Sequence, residues 1–330
     1  MKETLLYLFE NKTLSKEQSR TVLLKIAKGE ANAGQIASFL TVFLMRPVTV
    51  EELEGFREAL LELCLRLDFS DFETVDLCGT GGDAKDTFNI STLSSFVVAG
   101  AGLKVAKHGN YGVSSVSGSS NLMEHLGYTF TSDREILVKE LDKAGICFMH
   151  APLFHPAMKT VGPVRRDLGV KTFFNMLGPL VNPSFPNYQL TGVFSLELLR
   201  IYNYLLQKTD RRYIVVHSMD GYDEVSLTSA FKCVSRDQER ILEPEDLGLK
   251  KRTQEDLYGG SSVEESARIF LQILKGEGTA AQNDVVSANA GMAIFCVHSE
   301  KTPEDCIAMA REALLSGKAG KVLSRLLKGN

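Results

Sequence analysis

Hydrophobic positions in the first seventy residues fall at helical spacing. Val22, Leu23 and Ile26 share one side of a segment that opens on the capping box Ser15-Lys16-Glu17-Gln18 and ends at Gly29. Ile36, Phe39, Leu40, Phe43 and Leu44 follow the i, i+3, i+4, i+7, i+8 stripe of the next helix, which Pro47 stops. Thr49-Val50-Glu51-Glu52 caps a further one carrying Phe56, Leu60 and Leu61. Residues 1 to about 70 therefore read as all helix, and helices this apolar need a partner surface. From about Thr74 the pattern changes to strand, loop, helix. Strands are expected at 75–78, 104–107, 146–149, 189–194, 213–217 and 231–234. Helices of crossover length lie between them, such as Asp133 to Ala144 and Leu196 to Lys208. That alternation predicts a parallel sheet with helices on its faces. Pro163 to Leu180 interrupts it with helical pieces, and the last hundred residues add helices at about 263–275, 284–297 and 303–316. The predicted fold class is α/β: a small all-helical N-terminal domain plus a larger α/β domain with a central, mainly parallel sheet flanked by helices.

Composition narrows the function classes. At 330 residues, two domains are the better prior, and 44% hydrophobic with 24% charged residues is ordinary for a soluble enzyme. The net charge of −4 argues against a nucleic-acid binder, which carries a basic excess. The longest apolar stretches, such as Ala290 to Val297, are far shorter than the ~20 residues of a membrane helix. Met1-Lys2-Glu3-Thr4 is not followed by the long apolar core of a signal peptide. The six cysteines are scattered with no C-x-x-C pair, so a reducing cytoplasm is expected, with neither a zinc site nor a disulfide framework.

The chemistry concentrates in two loops. Val75 to Cys78 runs into Gly79-Thr80-Gly81-Gly82-Asp83, and Thr87, Asn89, Ile90, Ser91 and Thr92 lead into the apolar run Leu93, Phe96, Val97. Glycines free the backbone to approach a ligand. Unpaired N–H groups and hydroxyls at a helix start favour an anion. This cradle lacks the Lys-Ser/Thr ending of a Walker loop and the glycine spacing of a dinucleotide fingerprint. A second loop follows the next strand: Lys107, His108, Gly109, Asn110, Tyr111, Gly112, Val113, Ser114, Ser115, Val116, Ser117, Gly118, Ser119. It is polar and nearly free of apolar residues. In a parallel sheet both loops open at the carboxyl edge, where such folds bind ligands. Two adjacent anion sites suit a molecule with phosphates at both ends.

These segments, with His155-Pro156-Ala157-Met158-Lys159, Val164-Arg165-Arg166, Phe174 to Leu180 and Asp223-Glu224-Val225-Ser226-Leu227, closely resemble the anthranilate phosphoribosyltransferase family of tryptophan biosynthesis. The motifs run in order from about Gly79 to Leu227. Two positions depart from the family's pattern: Tyr111 stands where Arg is common, and Asn121 where Asp is common.

The resemblance implies a helical domain of 1–70 joined by 163–180, and an α/β domain of 71–162 and 181–330. It implies transfer of the phosphoribosyl group of 5-phosphoribosyl 1-diphosphate (PRPP) to the amine of anthranilate, with Mg²⁺ as cofactor and a cytoplasmic homodimer formed through the helical domain. Gly79, Gly82, Asp83 and Thr87 would line the ribose and diphosphate. Asn89, Ile90, Ser91 and Thr92 would hold the 5-phosphate. Lys107 and the loop through Ser115, with Ser119, would close over the diphosphate. Asp223 and Glu224, with Ser91, would hold Mg²⁺. Arg165 would pair with the anthranilate carboxylate, its neighbour Arg166 pointing about 100° away around the helix. Gly79 and Asn110 would orient the amine, His108 would flank the ring, and His155 and Pro179 would line the anthranilate path. Asp76, His125, His150, His217 and His298 read as structural. Two other functions are compatible with such a fold: a pyrimidine nucleoside phosphorylase, which would need no Asp-Glu pair for Mg²⁺, and a nucleic-acid-binding relative, which would need a basic face.

Overall fold

The computed structural model describes residues 1–112 and 116–328. The chain divides into two compact units, Met1–Leu67 with Ala151–Phe185, and Asp68–His150 with Pro186–Asn330.

The helical unit holds α1 (Lys2–Phe9), α2 (Lys16–Ala27), α3 (Ala33–Met45) and α4 (Val50–Leu63). Reciprocal caps start three of them: Ser15 with Gln18, Asn32 with Gln35, and Thr49 with Glu52. Each side-chain oxygen accepts from the backbone three residues on, satisfying donors that the helix leaves unpaired. Glu52 does more than cap. It is fully buried, and its carboxylate accepts from Leu14 N, Thr49 N and both terminal nitrogens of Arg46, at 2.6–2.9 Å.

The returning segment of this unit runs from Ala151 to Phe185 and contains the 163–180 stretch that the resemblance implies. Its helix Met158–Leu168 packs on α2 and α3, and backbone bonds from Leu65 N to Phe154 O and from Leu67 N to Pro183 O, 2.8 and 3.0 Å, tie the segment in. Phe173 stacks on Phe56 at 4.4 Å and meets Phe39 and Phe43 edge-on, so the return completes the aromatic core that the N-terminal helices begin. Leu44 belongs to the predicted stripe but is 45% exposed.

The second unit is built on a seven-stranded sheet: β1 Thr74–Gly79, β2 Lys104–Gly109, β3 Ile146–His150, β4 Tyr188–Gly192, β5 Arg212–Ser218, β6 Phe231–Val234 and β7 Glu239–Leu242. The order is β3-β2-β1-β4-β5-β6-β7, parallel through β5, with β6 and β7 added antiparallel. The short, polar β7 lies beyond the predicted strands. Helices α5 (Ile90–Gly100) and α6 (Ser119–His125) follow β1 and β2. The core runs from the strands through Phe96, Val97 and Phe270 to the helix Ala280–Val297. Among the described residues, no helix is long and apolar enough to cross a membrane.

Candidate active site

The chain adds strands outward from β1 in one direction through β2 and β3, and in the other through β4 and β5. The reversal lies between β1 and β4, the position at which open α/β sheets form a ligand crevice at their carboxyl ends. Gly79 ends β1 and pairs in register with Gly192, which ends β4. Asp223 sits directly against both. A Cβ on Gly79 would lie 2.3 Å from Asp223 Oδ2, and one on Gly192 would lie 1.5 Å from the Asp223 carbonyl oxygen. Two glycines at the strand ends thus make the seat for an aspartate from a distant turn.

The loop leaving β1 completes that seat. Gly81 and Gly82 have φ of +65° and +81°, which L side chains rarely adopt. The turn they make aims Gly81 N at Asp223 Oδ2, 2.6 Å away. Asp83 brings a further carboxylate near. Burial, and then the neighbouring Asp83 charge, push the Asp223 carboxyl above the usual carboxylate range. Burial, and then Asp223, do the same to Glu224, while Lys107 and the Ser91 backbone N–H oppose the shift. The three carboxylates repel one another at the sheet edge, and a cation there would relieve the repulsion. Among the described residues, no three acidic, His or Cys side chains converge into a complete metal cage. That suits Mg²⁺, which needs only one or two carboxylates beside substrate oxygens. Asp223 and Glu224, with Ser91, whose N–H reaches Glu224, fit that role.

The two phosphate-type loops are joined. Asn89, at the start of α5, donates from Nδ2 to the Ser117 carbonyl oxygen at 2.8 Å. Ile90 and Thr92, in the first turn of α5, are buried at 2% and 1% exposed. Thr87 forms an isolated bridge with Tyr258. After β2, the Asn110 carbonyl oxygen accepts from Ser120 N at 3.1 Å and from Ser119 Oγ at 3.3 Å. Tyr111 N donates to Asn110 Oδ1 at 2.8 Å, its hydroxyl reaches Glu124 Oε2 at 3.5 Å, and its ring meets the His150 ring edge-on at 4.7 Å. Gly109 would drive a Cβ to 2.5 Å from Ser119 Oγ, so the loop returns close to its own strand. Val113, Ser114 and Ser115 lie outside the described residues.

Lys107 and His108 are both buried at the end of β2. Lys107 is 1% exposed and donates from Nζ to the Leu77 carbonyl oxygen at 2.7 Å. Its ammonium lies at the sheet edge, where its charge favours the ionised form of Glu224. His108 is 3% exposed, and its backbone N–H donates to Asp76 Oδ1 at 3.2 Å. Asp76, fully buried, is structural as read from the sequence.

In the helical unit, Arg165 is half-buried and its neighbour Arg166 is exposed, as their helical spacing predicts. Arg165 Nη2 donates to Asn175 Oδ1 at 3.1 Å, and its guanidinium lies over the Phe174 ring. Pro179 is buried. His155 is 3% exposed, with its pKa lowered to about 4, mainly by burial. Its ring is thus buried and held neutral.

Sequence reasoning passed over Thr80 and Ser117. Their hydroxyls are buried and find no partner among the described residues, although one lies in each loop. Buried polar groups are normally satisfied, so such a pair within two anion-type loops marks a place shaped for a ligand. The available signal was that Thr80 stands between glycines and Ser117 beside one, in the loops already singled out.

Comparison with known proteins places the chain among the glycosyl transferases. Residues 2–64 match the family model described as the helical bundle domain of a glycosyl transferase family, and residues 71–320 match the a/b domain of that family. The anthranilate phosphoribosyltransferase of Christiangramia forsetii is 59% identical over 328 residues, covering 99% of each chain. That of Flavobacterium johnsoniae is 57% identical over 326 residues, covering 99% of this chain and 98% of its own. The crystal structure of the Thermus thermophilus enzyme matches with a TM-score of 0.91 at 34% identity, covering 98% of both chains. The Saccharomyces cerevisiae enzyme in complex with PRPP and Mg matches at 0.90 with 26% identity, covering all of this chain and 98% of its own. The chain belongs to the anthranilate phosphoribosyltransferase family.

Proposed function

We infer that this protein transfers the phosphoribosyl group of PRPP to the amine of anthranilate, giving N-(5-phosphoribosyl)anthranilate and diphosphate. The observation that carries the reading is the Asp223-Glu224 pair seated on Gly79 and Gly192 and tied to the first of two joined anion loops. In the reaction the bond from C1 of the ribose to the diphosphate oxygen breaks and the electron pair leaves with diphosphate. A bond from C1 to the amine nitrogen forms, and the amine proton is lost to water.

An aromatic amine attacks as the neutral base, so no strong general base is required. The residues act mainly by positioning and by charge. The start of α5, with Asn89 and Ser91, holds the 5-phosphate. Gly79, Gly82, Asp83 and Thr87 line the ribose and diphosphate, and the main chain from Lys107 to Gly112, with Ser119, meets the diphosphate. Asp223, Glu224 and Ser91 would hold Mg²⁺, which would supply positive charge beside the leaving diphosphate. Arg165 pairs with the anthranilate carboxylate in bidentate fashion, while Asn110 and the Gly79 carbonyl orient the amine.

The helical unit leaves Leu6, Phe9, Leu44 and Met45 at 45–83% exposed on α1 and α3, which pack together. This apolar surface supports a homodimer through the helical unit; light scattering at micromolar concentration measures the mass. Six free cysteines among the described residues support a reducing, cytoplasmic setting.

The activity is tested by diphosphate release. Equal molar amounts of diphosphate formed and anthranilate consumed support the reading. Phosphate-dependent cleavage of uridine in place of that reaction would replace it with the phosphorylase reading.

A further inference from the structure

We propose that Asn121 is a positioning residue for PRPP, acting through the main chain of the second loop. This rests on the reading of that loop as the PRPP loop.

Asn121 lies in the first turn of α6, and its Oδ1 accepts two backbone donors. One is Gly118 N at 3.1 Å, three residues back. The other is Gly112 N at 2.9 Å, nine residues back. Capping α6 needs only the Gly118 bond, because a residue at the third helical position reaches back to the start as in any capping arrangement. The Gly112 bond is additional, and it ties the outgoing arm of the loop to the incoming one.

The arms are pressed together at that point. A Cβ on Gly118 would lie 2.1 Å from Gly112 N and 2.5 Å from the Tyr111 carbonyl carbon. Close backbone approach alone would leave two N–H groups side by side, and one carboxamide oxygen satisfies both. The clamp is also placed to act on the ligand loops. Ser117, next to Gly118, receives the Asn89 amide at 2.8 Å. Asn110 and Tyr111, next to Gly112, are held by Ser119, Ser120 and Glu124. Asn121 thus fixes the point at which the second loop meets the start of α5.

The clamp carries no charge. A carboxamide oxygen holds both donors without setting a carboxylate beside a region proposed to receive a diphosphate. Aspartate offers the same acceptor geometry, so Asn121→Asp separates the acceptor role from the identity of the residue, and Asn121→Ala removes the acceptor altogether.

The test combines amide hydrogen exchange with steady-state kinetics on the full-length enzyme. In the wild type, the amides of Gly112 and Gly118 are protected without substrate. Asn121→Ala exposes both, raises KM for PRPP by about tenfold, as expected for two neutral hydrogen bonds lost, and leaves KM for anthranilate and kcat within about twofold. Asn121→Asp keeps the protection and returns KM for PRPP to within about threefold of wild type. The proposal is overturned by an Asn121→Ala enzyme that loses protection yet keeps the wild-type KM for PRPP. It is equally overturned by one in which kcat and both KM values worsen together, or by failure of Asn121→Asp to restore the affinity. A wild type that does not use PRPP at all overturns the functional reading, whereas the exchange data still report on the clamp.

Discussion

Gly81 N donates to Asp223 Oδ2 at 2.6 Å, joining residues 142 positions apart. The bond ties the glycine loop after β1, proposed to receive the sugar phosphate, to the carboxylate turn after β5, proposed to hold the metal. Changes to the glycines around that bond should therefore be read out at the carboxylates.

Gly79→Ala and Gly192→Ala should differ in kind. The added methyl on Gly79 meets a side-chain oxygen, Asp223 Oδ2, which can shift by rotation. The one on Gly192 meets the Asp223 carbonyl, which cannot move without its turn. Gly79→Ala should fold and lose most of its turnover as Asp223 is displaced. Gly192→Ala should lower the melting temperature as well, since overpacking a fixed backbone costs roughly 1–3 kcal/mol or more. Thermal melts beside turnover for both variants check this, and a Gly192→Ala enzyme with wild-type stability and activity would refute the close seat.

Arg165→Ala should raise KM for anthranilate by roughly ten- to a hundredfold, the cost of a charge-assisted contact of ~1.5–3 kcal/mol. KM for PRPP should change far less. Arg166, exposed on the neighbouring helix face, should tolerate alanine. Kinetics with each substrate varied in turn decide the matter, and the reverse pattern would move the carboxylate contact to Arg166.

Acid should weaken the helical unit through two buried groups. The His155 pKa falls to about 4, chiefly through burial, so the unfolded chain takes up a proton near pH 6.5 that the folded unit refuses until about pH 4. Stability is complete above that window and declines across it, by roughly 3 kcal/mol. For Glu52, burial alone would raise the pKa, but the bonds from Arg46, Thr49 and Leu14 outweigh it and hold the carboxyl below its ordinary value. Its contribution is present above pH 4.5 and is lost as pH falls through the lowered value. Urea midpoints at pH 7.5 and 4.5 should differ markedly for the wild type and less for His155→Gln. Equal sensitivity in the two would show that His155 does not carry the effect.

Much of this was legible in the chain because local chemistry and tertiary structure agree. The box Ser15-x-x-Gln18, the glycines after β1 and the alternation of strands and helices each report a backbone requirement that sequence alone can state. The parts that were not legible depend on what meets what in space. Lys107 looks like a loop cation, but the Leu77 carbonyl and the Glu224 carboxylate draw it inward. The depth at which His155 is buried is likewise not written in the His-Pro-Ala-Met run that contains it. The return at Ala151 is invisible because its first helix is short and the aromatic contacts that anchor the segment, Phe173 on Phe56, span more than a hundred residues. Asn121 reads as one more polar residue until both of its backbone donors are known.

The central claim is that these loops and the Asp223-Glu224 pair bind PRPP together with Mg²⁺. Titration calorimetry of PRPP into the wild type and into Asp223→Asn/Glu224→Gln, each with and without Mg²⁺, tests it most directly. The account predicts that Mg²⁺ strengthens PRPP binding to the wild type at least tenfold, or about 1.4 kcal/mol, and has little effect on the folded double variant. Without Mg²⁺ the variant should bind PRPP no worse than the wild type, because two carboxylates no longer face the diphosphate. Wild-type binding that is indifferent to Mg²⁺, or a double variant that keeps the full Mg²⁺ response, would contradict it.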